Sequence, residues 1–186
     1  MSKENKGSNY YGARKRNSGK RYYHYKKTPK KAFLQPPVEA EKVKLSFLGG
    51  MNEIGKNMTL YEYKDDMFVV DCGLAFPDPE LLGVDIVIPD FTYILKNQDK
   101  VKALVVTHGH EDHIGAIPYL LKNFNIPIYA TRLTIGLIEG KLKEHKLLGD
   151  AKLNTVKPGE KVTLGKFQVE FIHVNHSIPD AVGFAI

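Results

Sequence analysis

Apolar and polar residues alternate over residues 44–48 and stop at Gly49 and Gly50, the pattern of a half-buried strand that runs into a tight loop. The stretches Met58–Tyr63 and 67–71 repeat this β-rich character on either side of Lys64, Asp65 and Asp66, which predicts an antiparallel ribbon feeding one sheet. Pro77, Pro79 and Pro89 mark residues 73–90 as irregular. Residues 102–107 form an apolar, β-branched run, residues 114–124 have helical spacing, and residues 126–129 read as a short strand. Together they make a β-loop-α-β unit. Leu133, Leu137, Ile138 and Leu142 recur at helical spacing over residues 131–146, with Gly136 and Gly140 as weak points in that helix. Strands are then expected at 153–156, Lys161–Leu164, 167–174 and 182–186. The class is α/β, without an internal repeat.

Composition divides the chain in two. Its 186 residues, 42% of them hydrophobic, suffice for one sizeable core. The net charge of +6 is segregated: residues 1–37 carry eleven Lys or Arg against one acid, Glu4, and the remainder is net acidic. The same arm holds Tyr10, Tyr11, Tyr22, Tyr23 and Tyr25 and almost no aliphatic residues, so residues 1–42 are expected to be a disordered basic arm and residues 43–186 the folded domain. Two uses of the arm stay open. It is a solubilising extension, or it replaces phosphate counterions with Lys and Arg and stacks tyrosines on bases; charge alone would equally steer it to an anionic membrane surface or a ribosome. No run approaches the roughly eighteen apolar residues of a membrane span, and no apolar signal segment opens the chain, so a cytoplasmic location is expected. Cys72, the single cysteine, excludes an internal disulfide and reads as a small buried hydrophobe.

The chemistry is concentrated after Thr107, in THGHEDHIG. His108, His110, Asp112 and His113 place four metal-binding side chains between an expected strand and an expected helix, where a rigid sheet can hold a loop open to solvent. Alternate residues of such a turn can aim at one point, so His108 and His110 can share an ion while Asp112 and His113 face a second position. Imidazole with carboxylate suits zinc or manganese, and two ions about 3.5–4 Å apart can share a nucleophilic hydroxide. Asp112 alone could be a helix cap.

This run matches the H-x-H-x-D-H motif and so resembles the metallo-β-lactamase superfamily, which implies an αββα sandwich. The resemblance adds Asp71, at the close of MFVVDCG, as a residue that orients the metal loop, and His176, in HVNHSIPD, as a third histidine for the first ion. His173 is the competing candidate but reads as a packing residue within a strand, and His145 and His24 read as surface residues. The segments GGMNEIGKNM, FPDPELLGVDIVIPDFTYI, HGHEDHIGAIPYLL and HSIPDAVG are similar, in this order, to those of the ribonuclease J family of β-CASP nucleases, over residues 43–186.

That resemblance implies a two-metal ribonuclease, zinc- or manganese-dependent, with 5′-to-3′ exonucleolytic and endonucleolytic modes in bacterial mRNA decay and rRNA maturation. His108, His110 and His176 would hold one ion and Asp112 and His113 the other; Asp112 and Asp71 would be the catalytic carboxylates, and Ser177 would touch a phosphate or cap its loop. RNA would be the partner, within a homo-oligomer, dimer or tetramer, with or without a paralogue. The family's bridging aspartate, a further histidine and the β-CASP insertion have no counterpart before Ile186. The chain is therefore expected to be the amino-terminal half of a catalytic domain, inactive or nearly so alone. Two other readings are kept: a small-molecule hydrolase of the same fold, and a non-catalytic RNA-binding protein.

Overall fold

A computed structural model describes residues 41–186; the expected basic arm lies, apart from its last two residues, outside them. The hairpin predicted near the start forms from β1 (Lys44–Gly49), β2 (Met58–Tyr63) and β3 (Asp66–Val70), all antiparallel. Lys64 turns the chain between β2 and β3 in the left-handed region at φ 57°. From β3 the sheet continues in parallel through β4 (Val101–Val105), β5 (Ile128–Ala130) and β6 (Leu153–Thr155), giving the order β1-β2-β3-β4-β5-β6. β7 (Lys161–Leu164), β8 (Phe167–His173) and β9 (Val182–Ala185) make a separate antiparallel sheet.

Parallel neighbours require crossover connections, and the helices supply them on one face. These are α1 (Thr92–Lys96), α2 (Glu111–Ile114), α3 (Ile117–Leu121) and α4 (Arg132–Glu144). β3 is buried on both sides, so its alternation separates two cores. Met67 and Val69 face the helices with Leu60, Leu104, Ile117 and Ile138, whereas Phe68 faces the three-stranded sheet with Val105, Phe167, Val169 and Phe171. Phe68 stacks on Tyr61 and meets Phe167 edge-on, each at 5.0 Å between centroids. Helices, a mixed sheet and a second sheet are three layers of an αββα sandwich.

One charge bridges the sheets. Asp66, only 9% exposed, accepts a hydrogen bond from the Lys166 backbone N–H at 2.9 Å and pairs with Lys102 Nζ at 3.2 Å. Burial opposes its charge, but these partners and the Lys166 ammonium outweigh that and lower its pKa.

Several expectations are corrected. The helix read over 114–124 is two short ones, α2 and α3, parted at Gly115 and Ala116, where the Ala116 N–H bonds to the Cys72 carbonyl. α4 is unbroken through Gly136 and Gly140, both of which face open space. Its buried positions are Thr134, Ile135, Ile138 and Leu142, while Leu133 and Leu137 are 38% and 39% exposed. α1, to which the sequence pattern assigned no element, starts just after Asp90, whose carboxylate accepts from the Thr92 N–H. His173 closes β8 but is exposed, so it is not a packing residue. His145 is half-buried and meets Tyr119 edge-on.

Candidate metal centre

Three segments converge where β3 and β4 end. Backbone hydrogen bonds knit them together: Asn57 N–H to the Asp112 carbonyl, Cys72 N–H to that of His113, and Leu74 N–H to that of Glu111. Gly73 permits this approach, because a Cβ there would overlap the Asp112 carbonyl. Cys72 is fully buried beneath the site, and burial, with the Asp71 charge, pushes its thiol far above the ordinary range, which leaves it without nucleophilic chemistry.

The loop after β4 brings His108 and His110 together, and the loop after β8 brings in His176. His108 Nε2 lies 3.1 Å from His110 Nδ1 and 3.0 Å from His176 Nε2, and the three donor atoms fall within 4.8 Å of one another. Nitrogens on one tetrahedral ion at about 2.0–2.1 Å stand roughly 3.3 Å apart, so the cluster fits a zinc-like cation with small adjustment. His108 is buried, His110 half-buried and His176 exposed, which leaves one side of the cluster open. Burial, and then the rings of His113, His176 and His110, pull the His108 pKa down to about 4. Its ring is neutral at pH 7 and keeps a lone pair for a ligand.

Asp71 decides which nitrogen is free. It is buried, sits in the left-handed region at φ 62°, and accepts from the Thr107 backbone N–H at 2.8 Å and from Thr107 Oγ1 at 2.8 Å. Having given its only proton to Asp71, the Thr107 hydroxyl can only accept from His108 Nδ1, 3.0 Å away, which leaves His108 Nε2 unprotonated. His113 Nδ1 donates directly to Asp71 Oδ2 at 2.8 Å, so its Nε2 is free as well. Burial disfavours the His113 cation, but the hydrogen bond and charge of Asp71, with those of Asp112, outweigh it and raise the pKa.

Asp112 Oδ2 lies 3.3 Å from His113 Nε2, and Asn57 Nδ2 sits between them at 3.1 and 3.2 Å. His108 and His113 rings are 4.0 Å apart, so this pair adjoins the three histidines without joining them. A groove of about 750 Å³ runs past Asp112, lined by Ile54, Lys56, Phe76 and Leu81 among others. Ser177 is exposed beside His176 and makes no side-chain hydrogen bond among the described residues. Thr107 and Asn57 escaped sequence reasoning as functional residues. Their signal was position alone: one ends the strand before the motif, the other closes the EIGKN run.

The family profile described as the metallo-beta-lactamase superfamily matches residues 51–182, and the chain belongs to that superfamily. Within it, the chain is 52% identical over 139 residues to ribonuclease J 1 of Streptococcus pyogenes, a match covering 75% of this chain and 25% of that protein. It is 50% identical over 151 residues to ribonuclease J of Synechocystis, covering 80% of this chain and 24% of that one. The chain thus spans about a quarter of the length of these relatives. Among solved structures, rubredoxin oxygen:oxidoreductase from Desulfovibrio gigas aligns with TM-score 0.51 at 25% identity, over 69% of this chain and 30% of that one. A protein named for redox chemistry shares the fold, so fold alone does not select the reaction.

Proposed function

We propose that this chain is the metal-bearing segment of a ribonuclease that hydrolyses RNA phosphodiesters. The observation that carries the reading is the three-histidine cluster beside the Asp112–His113 pair, in a chain half identical to proteins named ribonuclease J. His108, His110 and His176 would hold one divalent ion, and Asp112 with His113 would hold a second. Imidazoles favour zinc at the first position, and the carboxylate makes manganese suitable at the second. When bound, such ions supply a hydroxide that is nucleophilic at neutral pH and offset charge on the phosphoryl oxygens.

The chain's own residues prepare the site. Asp71 keeps protons on Nδ1 of His113 directly and of His108 through Thr107, so both Nε2 atoms stay available. Asn57 steadies the Asp112 carboxylate, and the Ser177 hydroxyl is free to donate to a phosphate. The reading extends to the cytoplasmic processing of mRNA and ribosomal RNA, exonucleolytic and endonucleolytic, that the family resemblance implies, and to an oligomer.

Only two acidic or imidazole side chains serve the second position among the described residues, so the 186-residue chain is expected to hold one ion tightly and to cleave RNA weakly or not at all. Function is tested by a chimera in which residues 43–186 replace the matched segment of the Streptococcus pyogenes relative. It should degrade 5′-monophosphorylated RNA with manganese or zinc, lose that activity on His110→Ala, and ignore thioesters and lactams. A folded, metal-loaded chimera that leaves RNA intact would sink the proposal.

A further inference from the structure

The ligands of the metal loop alternate with residues that turn the other way. His108, His110 and Asp112 face the site, whereas Gly109 and Glu111 meet α4. A Cβ on Gly109 would crowd Leu137 Cδ1 and fall 3.5 Å from Ile178 Cδ1, so the loop lies directly against the end of the Leu137 side chain. One helical turn along, Lys141 Nζ pairs with both carboxylate oxygens of Glu111 at 2.6 Å. Residues four apart lie on one helix face, so Leu137 and Lys141 form a stripe against the loop. At the other end, Thr131 Oγ1 donates to the Asp180 carbonyl at 2.8 Å, in the segment that carries His176. Leu137 is 39% exposed and joins neither hydrophobic core, so its packing against Gly109 adds little to the fold.

We infer that α4 is a clamp that sets the spacing between the loop bearing His108 and His110 and the loop bearing His176, with Leu137 and Lys141 as positioning residues of the three-histidine centre. This rests on the metal reading given under Proposed function. His108 and His176 lie 68 positions apart in sequence, so their nitrogens meet only if both loops are referenced to a common rigid element. α4 touches both, and it is the longest helix among the described residues. The contacts act through residues that are not ligands, as the outer supports of metal sites do.

Cobalt(II) titration of the 186-residue chain tests this, since visible ligand-field absorption reports coordination number and symmetry independently of any activity. Lys141→Glu should weaken cobalt affinity by about tenfold to a hundredfold and alter the band shape, and Glu111→Lys with Lys141→Glu should restore both. Leu137→Ala, which empties the contact with Gly109 and leaves both cores intact, should weaken binding in the same direction. If Lys141→Glu binds cobalt as the parent does, or the charge swap does not restore binding, the clamp is wrong while the metal site stands. If the parent takes up no cobalt, the metal reading fails and the clamp with it.

Discussion

The two halves of the candidate centre are held by different means. His108, His110 and His176 approach one another within 4.8 Å, yet His110 and His176 meet only other histidines there. Asp112 and His113 are tied into a network with Asn57, Asp71 and Thr107 that satisfies them without an ion. The first position is therefore a set of converging lone pairs, and the second is an organised polar cluster that would have to release Asn57 to accept an ion. From this difference the three histidines are expected to take an ion before the Asp112–His113 pair does.

The largest effect should come from breaking the first position itself. His108→Ala or His176→Ala should lower zinc affinity by more than about a hundredfold, beyond the usual effect of altering an outer support. Calorimetric titration checks this, and near-parental binding in either variant would remove that histidine from the centre. Asp71→Ala should come next and strike both halves, because it frees the protons on His108 and His113 to migrate and leaves Thr107 Oγ1 without its acceptor. A loss of about tenfold to a hundredfold in affinity is expected, with about 1–3 kcal/mol of stability lost in denaturant melts for the unsatisfied donors. Asn57→Ala should be smaller and confined to the second position, costing about 1 kcal/mol of stability and sparing the tight ion.

The mildest test is pH. In metal-free protein His113, with its raised pKa, should protonate before His108, whose pKa lies at about 4, as pH falls. His108 then favours the folded state above the unfolded histidine value of about 6.5, and that contribution is lost between 6.5 and 4 as the unfolded chain takes up the proton first. His113 has the opposite sign. Its contribution is present below about 6.5 and fades as pH rises through its own higher value. Proton NMR of the ring signals would show the order, and a reversed order would contradict the hydrogen-bond assignment around Asp71.

Legibility followed how local each signal was. β2 was readable to the residue because the hairpin pattern and the turn at Lys64 lie side by side in the chain. The donor-rich loop was readable as a cluster because His108, His110, Asp112 and His113 share six residues. His176 needed the family resemblance, since it reaches the loop from 68 residues away. The support by Asn57 and the Asp66 bridge between the sheets were invisible for the same reason: their partners lie 55 and 100 positions distant. α4 shows a different limit. Its periodicity was clear, but its buried face was not, because Leu133 and Leu137 fit a helical repeat as well as Ile135 and Ile138 do. His173 was misjudged because a strand end can turn outward where the sheet stops.

The meeting of His108 with His176 also links the ion to the mechanics of the molecule. One follows β4 in the middle of the six-stranded sheet and the other follows β8 of the smaller sheet, so a cation between them would be a cross-link closing a 68-residue loop. Any ligand that binds only the native arrangement draws the equilibrium toward it, and here the gain falls on the seam between layers. Hydrogen exchange should register this by region: adding zinc should slow the amides of β8 and β9 more than those of β2, whose ladder is complete without it. An equal slowing everywhere would mean that the two sheets already open and close as one unit.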